Sequence, residues 1–213
     1  EESFPGVSMA QAVREGLTTL WSTIRQIGHY RQIALFLLAR LFFIDGLNTM
    51  FAFGAIYAAA EFSFGSGEIF RFAIALNVSA GLGAVAMGYL DDKLGSKATI
   101  LIALGGLLVF GMPLLIVESK LWFWLLAVPL GLFMGPIQAA SRTMMARLAP
   151  AEMKAEMFGL FAFSGKITAF LGPVAYAWFT DIFQTQRAGM ATIFAFIVVG
   201  AALLMLVREP ARG

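Results

Sequence analysis

Long apolar runs alternate with short polar segments along most of this chain. A membrane-spanning helix needs about 20 mostly apolar residues, because the helix rises about 1.5 Å per residue through a hydrocarbon core about 30 Å thick. Runs of that length occupy residues 33–60, 69–90, 98–117, 121–145, 158–180 and 188–207. Strands of a membrane barrel would instead alternate apolar and polar positions. The pattern therefore predicts an all-α, integral membrane six-helix bundle.

The segment before the first run has a different pattern. Within residues 8–31, apolar side chains recur at helical spacing, at Val13, Leu17, Leu20, Trp21, Ile24 and Ile27. This predicts an amphipathic helix that lies on the cytoplasmic membrane surface or packs beneath the bundle. We divide the chain into a linker helix (1–31), a six-helix membrane domain (32–207) and a cytoplasmic tail (208–213). His29, at the end of the linker, is interpreted as a solvated interfacial side chain.

Basic residues are distributed unequally between the two ends of the predicted spans. Three fall at one end, at Arg71, Lys120 and Arg187, and two more lie within spans. Ten fall at the other, namely Arg14, Arg25, Arg31, Lys93, Lys97, Arg142, Arg147, Lys154, Arg208 and Arg212. Because cytoplasmic loops of membrane proteins are enriched in Lys and Arg, we expect both termini in the cytoplasm.

Composition supports the membrane assignment and excludes several functions. Hydrophobic residues make up 60% of the chain and charged residues 13%, and the net charge of +2 does not favour nucleic acid as a partner. The absence of cysteine and the single histidine disfavour a metal centre or a cofactor site. The spans contain no carboxylate pair, so an integral membrane enzyme is not expected. There is no phosphate-binding loop for ATP-driven transport.

Six polar side chains fall inside predicted spans: Arg40, Asp45, Asn48, Asn77, Gln138 and Lys166. Polar groups are costly in a bilayer and commonly mark the path of a solute or ion, so we interpret all six as pathway residues. Asp45 is the candidate for coupling to a proton gradient. Asp45 and Lys166 lie at similar depths, so they could instead form a structural ion pair.

Other accounts remain open for three of these residues. Arg40 could extend its side chain to the membrane surface. Asn77 shares a face with small residues at 73, 81, 84 and 88, so it could bond to a closely packed helix. Gln138 follows Gly135-Pro136, where a freed carbonyl needs a partner.

Glycine and proline also mark packing and bending positions. Gly131 and Gly135 predict tight helix packing, because small residues let helices approach each other closely. Gly172-Pro173 predicts a bend in the fifth span, either as a hinge or as a fixed shape.

The loop after the second span carries a ten-residue motif, GYLDDKLGSK (88–97). Gly88, Asp92, Lys93, Gly95 and Lys97 match the G-x-L-x-D-[RK]-x-G-x-[RK] pattern of the major facilitator superfamily, in which this loop joins the second and third helices of each half. Glycine at the first position would let helices approach, and the acid could cap or pair at a helix end.

Longer blocks are similar to one branch of that superfamily. FLLARLFFIDGLNTMFAFGAIYAA, ALNVSAGLGAVAMGYLDDKLGSK and GPIQAASRTMMARLAPAEMKAEMFGLFAFSGKITAFLGP resemble the carboxyl-terminal half of the autophagy-related vacuolar amino-acid effluxers and their bacterial relatives. The resemblance implies one six-helix half of a secondary transporter for a small polar solute, with amino-acid efflux and proton coupling as expectations.

The same resemblance implies partners and a location. The lipid bilayer surrounds the bundle, and a second six-helix half is expected, supplied by a longer chain or by a second copy of this one. The expected location is the bacterial inner membrane. A membrane scaffold or assembly partner without transport is the alternative.

Overall fold

The computed structural model describes residues 30–167 and 169–209, which are almost entirely helical and contain no strand. Seven α-helices follow one another: α1 (Arg31–Phe62), α2 (Ser66–Leu94), α3 (Ser96–Gly111), α4 (Lys120–Leu148), α5 (Lys154–Ile167), α6 (Leu171–Phe183) and α7 (Gln186–Leu206). The predicted linker helix at 8–31, including His29, lies almost wholly outside the described residues.

The described residues contain six helical segments long and apolar enough to cross a membrane, which confirms the predicted all-α membrane fold. Four of these segments are α1, α2, α4 and α7. The third is α3 with the 3₁₀ turn Met112–Leu115 that follows it. The fifth spans Ala151–Phe183, from a short 3₁₀ turn through both α5 and α6.

The helices run alternately up and down, so their connections gather at two ends. At one end, called here the basic end, the α2–α3 turn meets residues that follow α7: the backbone N–H of Ser96 donates to the Glu209 carboxylate at 3.0 Å. At the opposite end, Arg187 at the start of α7 bonds Glu61 at the end of α1, with 2.8 Å between Nε and Oε2.

Glycines allow α2 and α4 to pack closely. A Cβ atom on Gly131 would lie 2.6 Å from the Leu76 carbonyl oxygen, and one on Gly135 would lie 2.6 Å from that of Ala80. Gly83 lies still closer to the α4 backbone. The tight packing predicted for Gly131 and Gly135 is therefore confirmed.

The predicted close approach on the Asn77 face of α2 is met at one of its small residues and not at two others. Ala84 lies against Gly135 of α4, because a Cβ atom on Gly135 would be 3.2 Å from the Ala84 Cβ. A Cβ atom on Gly81 or Gly88 would meet nothing within 4 Å in the described part of the chain. The reason is rotational: α2 presents Ser79, Gly83 and Ala84 to α4, whereas Asn77, Gly81 and Gly88 are exposed.

The fifth span is interrupted immediately before Gly172-Pro173. Helix α5 ends at Ile167 and α6 begins at Leu171, with Ala169 and Phe170 in a turn. Pro173 has no N–H and so fits the first turn of a helix, where donors lack intrahelical partners. The predicted bend is thus a break in the helix. It places the N-terminus of α6, whose first N–H groups have no intrahelical partners, inside the bundle.

Candidate solute pathway

A cavity of about 410 Å³ opens where α1, α4 and α5 meet. It is lined by four of the six predicted pathway residues, namely Arg40, Asn48, Gln138 and Lys166. These residues come from three helices that are distant in sequence, and the fold brings them together. Their role in transport stays a prediction.

Arg40 is buried at the wall of this cavity, with 9% of its surface exposed. One terminal nitrogen donates to the Phe161 carbonyl at 2.8 Å and to the Ser164 hydroxyl at 2.9 Å, and the guanidinium lies 3.6 Å from the Phe161 ring centre. These bonds direct the side chain sideways onto α5. The suggestion that Arg40 extends to the membrane surface is therefore wrong, because α5 supplies its partners within the bundle.

The cavity also contains a cation that was not predicted to lie there. Arg142 lines the cavity one turn beyond Gln138 on α4, together with Arg40. It was counted only among the basic residues at the membrane surface. The four-residue spacing from Gln138, which places both on one helix face, was the signal that could have identified it.

Asp45 lies on α1 next to this cavity but does not line it. Its side chain is 2% exposed, and Oδ2 accepts a hydrogen bond of 2.6 Å from the backbone N–H of Gly172. Oδ1 is buried and has no hydrogen-bond partner among the residues that the structure describes. Asp45 thus caps the N-terminus of α6 at the break in the fifth span, where an anion is favoured.

The hypothesised ion pair between Asp45 and Lys166 is not formed. Neither side chain forms an ion pair with a described residue, and Lys166 is exposed at the cavity. The physical reason is the helix break, because the free N–H of Gly172 meets the carboxylate in place of the lysine. The depth of Asp45 and Lys166 in their spans, estimated from the sequence, could not show that the Gly172 N–H competes with Lys166 for the carboxylate.

Asn77 lies apart from the other pathway candidates. It is exposed on α2, and its side-chain nitrogen donates to the Ala73 carbonyl of its own helix at 2.8 Å. The suggested bond to a neighbouring helix is therefore absent within the described chain.

The loop motif forms the sharp turn between α2 and α3. Gly95 has φ of 94°, a conformation that L side chains rarely adopt, and it separates the two helices. Lys97 donates from Nζ to the Met205 and Val207 carbonyls, at 2.8 and 2.7 Å, and so caps the end of α7. Asp92 and Lys93 are exposed. Gly88 has open space around it, so it does not serve close packing here.

The acid that organises this turn is Asp91, not Asp92. Its Oδ1 accepts from the Ser96 hydroxyl at 2.7 Å and lies 3.8 Å from Arg147. Glu209 joins the same cluster through a 2.8 Å ion pair with Arg147 and bonds from the Ser96 and Lys97 amides. The motif did not identify Asp91, because its pattern specifies an acid only at the fifth position. The roles of Arg147 and Glu209 depend on contacts between distant parts of the chain, which the motif does not contain.

Comparison with known proteins gives one consistent result. The family described as "Vacuole effluxer Atg22 like" matches residues 2–211. An uncharacterised MFS-type transporter, YxiO of Bacillus subtilis, is 27% identical over 190 residues, which cover 89% of this chain and 44% of the relative.

Fungal relatives match over a similar region. Autophagy-related protein 22 of Cryptococcus neoformans is 26% identical over 84% of this chain and 34% of its own length. That of Kluyveromyces lactis is 23% identical over 93% of this chain and 43% of its own length. The chain therefore spans less than half the length of these curated relatives. The match over nearly all of its residues shows that the chain is a multi-pass membrane protein belonging to the Atg22-like vacuole effluxer family.

Proposed function

We propose that this chain forms one six-helix half of a secondary active transporter of the major facilitator type. The observation that carries the proposal is the cavity at which Arg40, Asn48, Gln138 and Lys166 converge from three helices. Convergent polar groups in a concave site are the usual form of a solute site. The solute would be small and polar, and amino-acid efflux is a candidate because of the effluxer family.

Asp45 supplies a route for proton coupling. The Asp45 carboxylate is buried, and its Oδ1 has no hydrogen-bond partner in the described part of the chain, so it can take up a proton. Its Oδ2 holds the N-terminus of α6 through Gly172. Protonation would remove the negative charge that interacts favourably with this helix end. The position of Leu171–Phe183 would then depend on the protonation state of Asp45, and this dependence would link the proton gradient to movement of the helix.

A second six-helix half would complete the pathway. Asn48, Asn77 and Gln138 are exposed on the surface of this chain, and polar side chains that face lipid are destabilising. The covering half would come from a longer polypeptide or from a second copy. We propose that both termini face the cytoplasm and that the membrane is the bacterial inner membrane, which fits the basic residues at the end where α1 begins.

Transport by the protein with its second half in proteoliposomes tests this proposal. An imposed proton gradient should drive accumulation of a radiolabelled amino acid or related polar solute, and a protonophore should abolish it. The exposed cavity variants Asn48→Ala and Gln138→Ala should lower the rate without loss of folded protein. Arg71→Gln, at an exposed position on the opposite end, serves as the control. Folded protein that moves no solute with any gradient would favour a scaffold role.

A further inference from the structure

The cavity between α1, α4 and α5 carries a net positive charge. Among its ten lining residues are three cations, Arg40, Arg142 and Lys166, and no carboxylate. None of the three forms an ion pair among the residues that the structure describes. A cavity that is lined by several cations and no anion attracts negatively charged solutes.

Arg40 is the strongest element of this site, because it is buried and no described carboxylate forms an ion pair with it. It is nine-tenths buried, lines the cavity, and its Nε has no hydrogen-bond partner within residues 30–167 and 169–209. A buried charge is normally paired, since removal from water is costly. Asp45 does not supply the pairing, because its Oδ2 is bonded to the Gly172 amide and the residue lies outside the cavity lining.

We propose that this cavity binds a solute with net negative charge through a carboxylate or phosphate group. The anion would lie between Arg40, Arg142 and Lys166, where guanidinium groups can donate to two oxygens at once. Asn48 and Gln138 would hydrogen-bond the rest of the solute. The inference names the substrate class of the proposed transporter, and so rests on that function.

The volume and the lining favour a small anion over a neutral amino acid. At about 410 Å³ the cavity is within the usual range for small-molecule sites. A zwitterion would place its ammonium group among three cations with no carboxylate in the lining to receive it. The same anionic group could belong to a free solute or to a lipid headgroup, and the experiment separates these two sources.

Equilibrium binding to the protein, isolated with its second half in phosphatidylcholine nanodiscs, tests the inference. The probes are succinate, inorganic phosphate, leucine and lysine. We expect succinate or phosphate to bind more tightly than leucine or lysine, and the binding to weaken as potassium chloride is raised. Unchanged succinate binding in phosphatidylglycerol nanodiscs would identify a free solute as the natural anion. Competition by that lipid would identify a headgroup.

Charge-neutralising variants locate the binding. Arg142→Gln and Lys166→Gln change exposed side chains, so the fold should survive, and each should lower affinity for the anion about tenfold, as expected for one hydrogen bond to a charged group. Arg40→Gln should lower it further. Arg71→Gln removes the same charge at the opposite end and should leave affinity unchanged.

Three results would overturn the anion site: no binding of either anionic probe, leucine or lysine binding as tightly as the anions, or wild-type affinity in both exposed-residue variants. Anion binding without gradient-driven transport would instead uphold the site and overturn the proposed function. Transport of a neutral solute, with no preference for anions, would uphold the proposed function and overturn the anion site.

Discussion

At the level of single residues, Asp45 has two separable properties, its charge and its ability to accept a hydrogen bond. Asp45→Asn keeps an oxygen for the Gly172 amide and removes the charge, so the fold should be retained while proton-driven transport is lost. Asp45→Ala removes the cap as well and should lower the free energy of unfolding by about 1–2 kcal/mol. Thermal unfolding in detergent measures the stability of each variant, and proton-driven flux measures its coupling. Wild-type coupling in folded Asp45→Asn would show that this carboxylate is structural.

Gly172 provides a second prediction at this scale, which concerns space. A Cβ atom there would lie within van der Waals overlap of the Thr49 hydroxyl, so Gly172→Ala should separate α6 from α1. We expect a loss of stability of about 1–3 kcal/mol, typical of overpacking. Gly81→Ala is the matched control, because its Cβ atom would meet nothing within 4 Å. Equal unfolding temperatures for the two variants would contradict the close contact.

The same two residues show what sequence could and could not predict. Asp45 was identified as a pathway candidate because a carboxylate inside an apolar run is conspicuous. Its partner was missed, because a backbone N–H carries no residue-type signal and becomes a donor only where a helix breaks. Gly172-Pro173 located that break to within a few residues. Arg142 was assigned to the membrane surface because it lies near the end of its predicted span. The helix face that it shares with Gln138 was not taken into account.

At the level of helices, the residues after α7 connect three elements at the basic end. Glu209 pairs with Arg147 of α4 and accepts from two amides at the start of α3. The length of the apolar runs predicted all six spans, since each is long enough to cross a membrane. It could not predict this cluster, because contacts between positions 96, 147 and 209 depend on the order in which helices pack.

Removing the Glu209 carboxylate should loosen this end of the bundle. Glu209→Ala leaves the half-buried Arg147 with the more distant Asp91 and frees two amides, at an expected cost of about 1–3 kcal/mol. Glu68→Gln breaks the ion pair with Lys120 at the opposite end, where both side chains are more exposed, and should change stability little. Chemical unfolding compares the two variants. An equally small effect of both would show that Glu209 contributes nothing beyond an ordinary surface pair.

For the whole molecule, the sequence could not predict which helix face remains uncovered by the bundle. In this chain it is the side of α2 that carries Asn77, Gly81 and Gly88. The six-helix count follows from hydropathy, but which side of each helix faces a neighbour does not. Gly81 and Gly88 were expected to allow a helix to pack closely, and no described helix of this chain does so; both lie in open space on the side of α2 that carries the exposed amide of Asn77. Small residues beside a polar side chain are typical of a surface that another helix covers in the membrane.

This face should therefore contact a second six-helix half. These 213 residues contain no cysteine, so a single cysteine at Gly81 can be introduced without background reactivity from this half. Its maleimide labelling should be slow in the assembled protein in membranes and should rise when the halves are separated. Val109→Cys is the control, because Val109 is 69% exposed on α3 and should face lipid in either state. If the second half is another copy, oxidation of Gly81→Cys should produce a cross-linked dimer that Val109→Cys does not form. Labelling at position 81 that stays as fast as at position 109 before and after separation would mean that nothing covers this face, and the chain would then lack the partner that the proposed transporter requires.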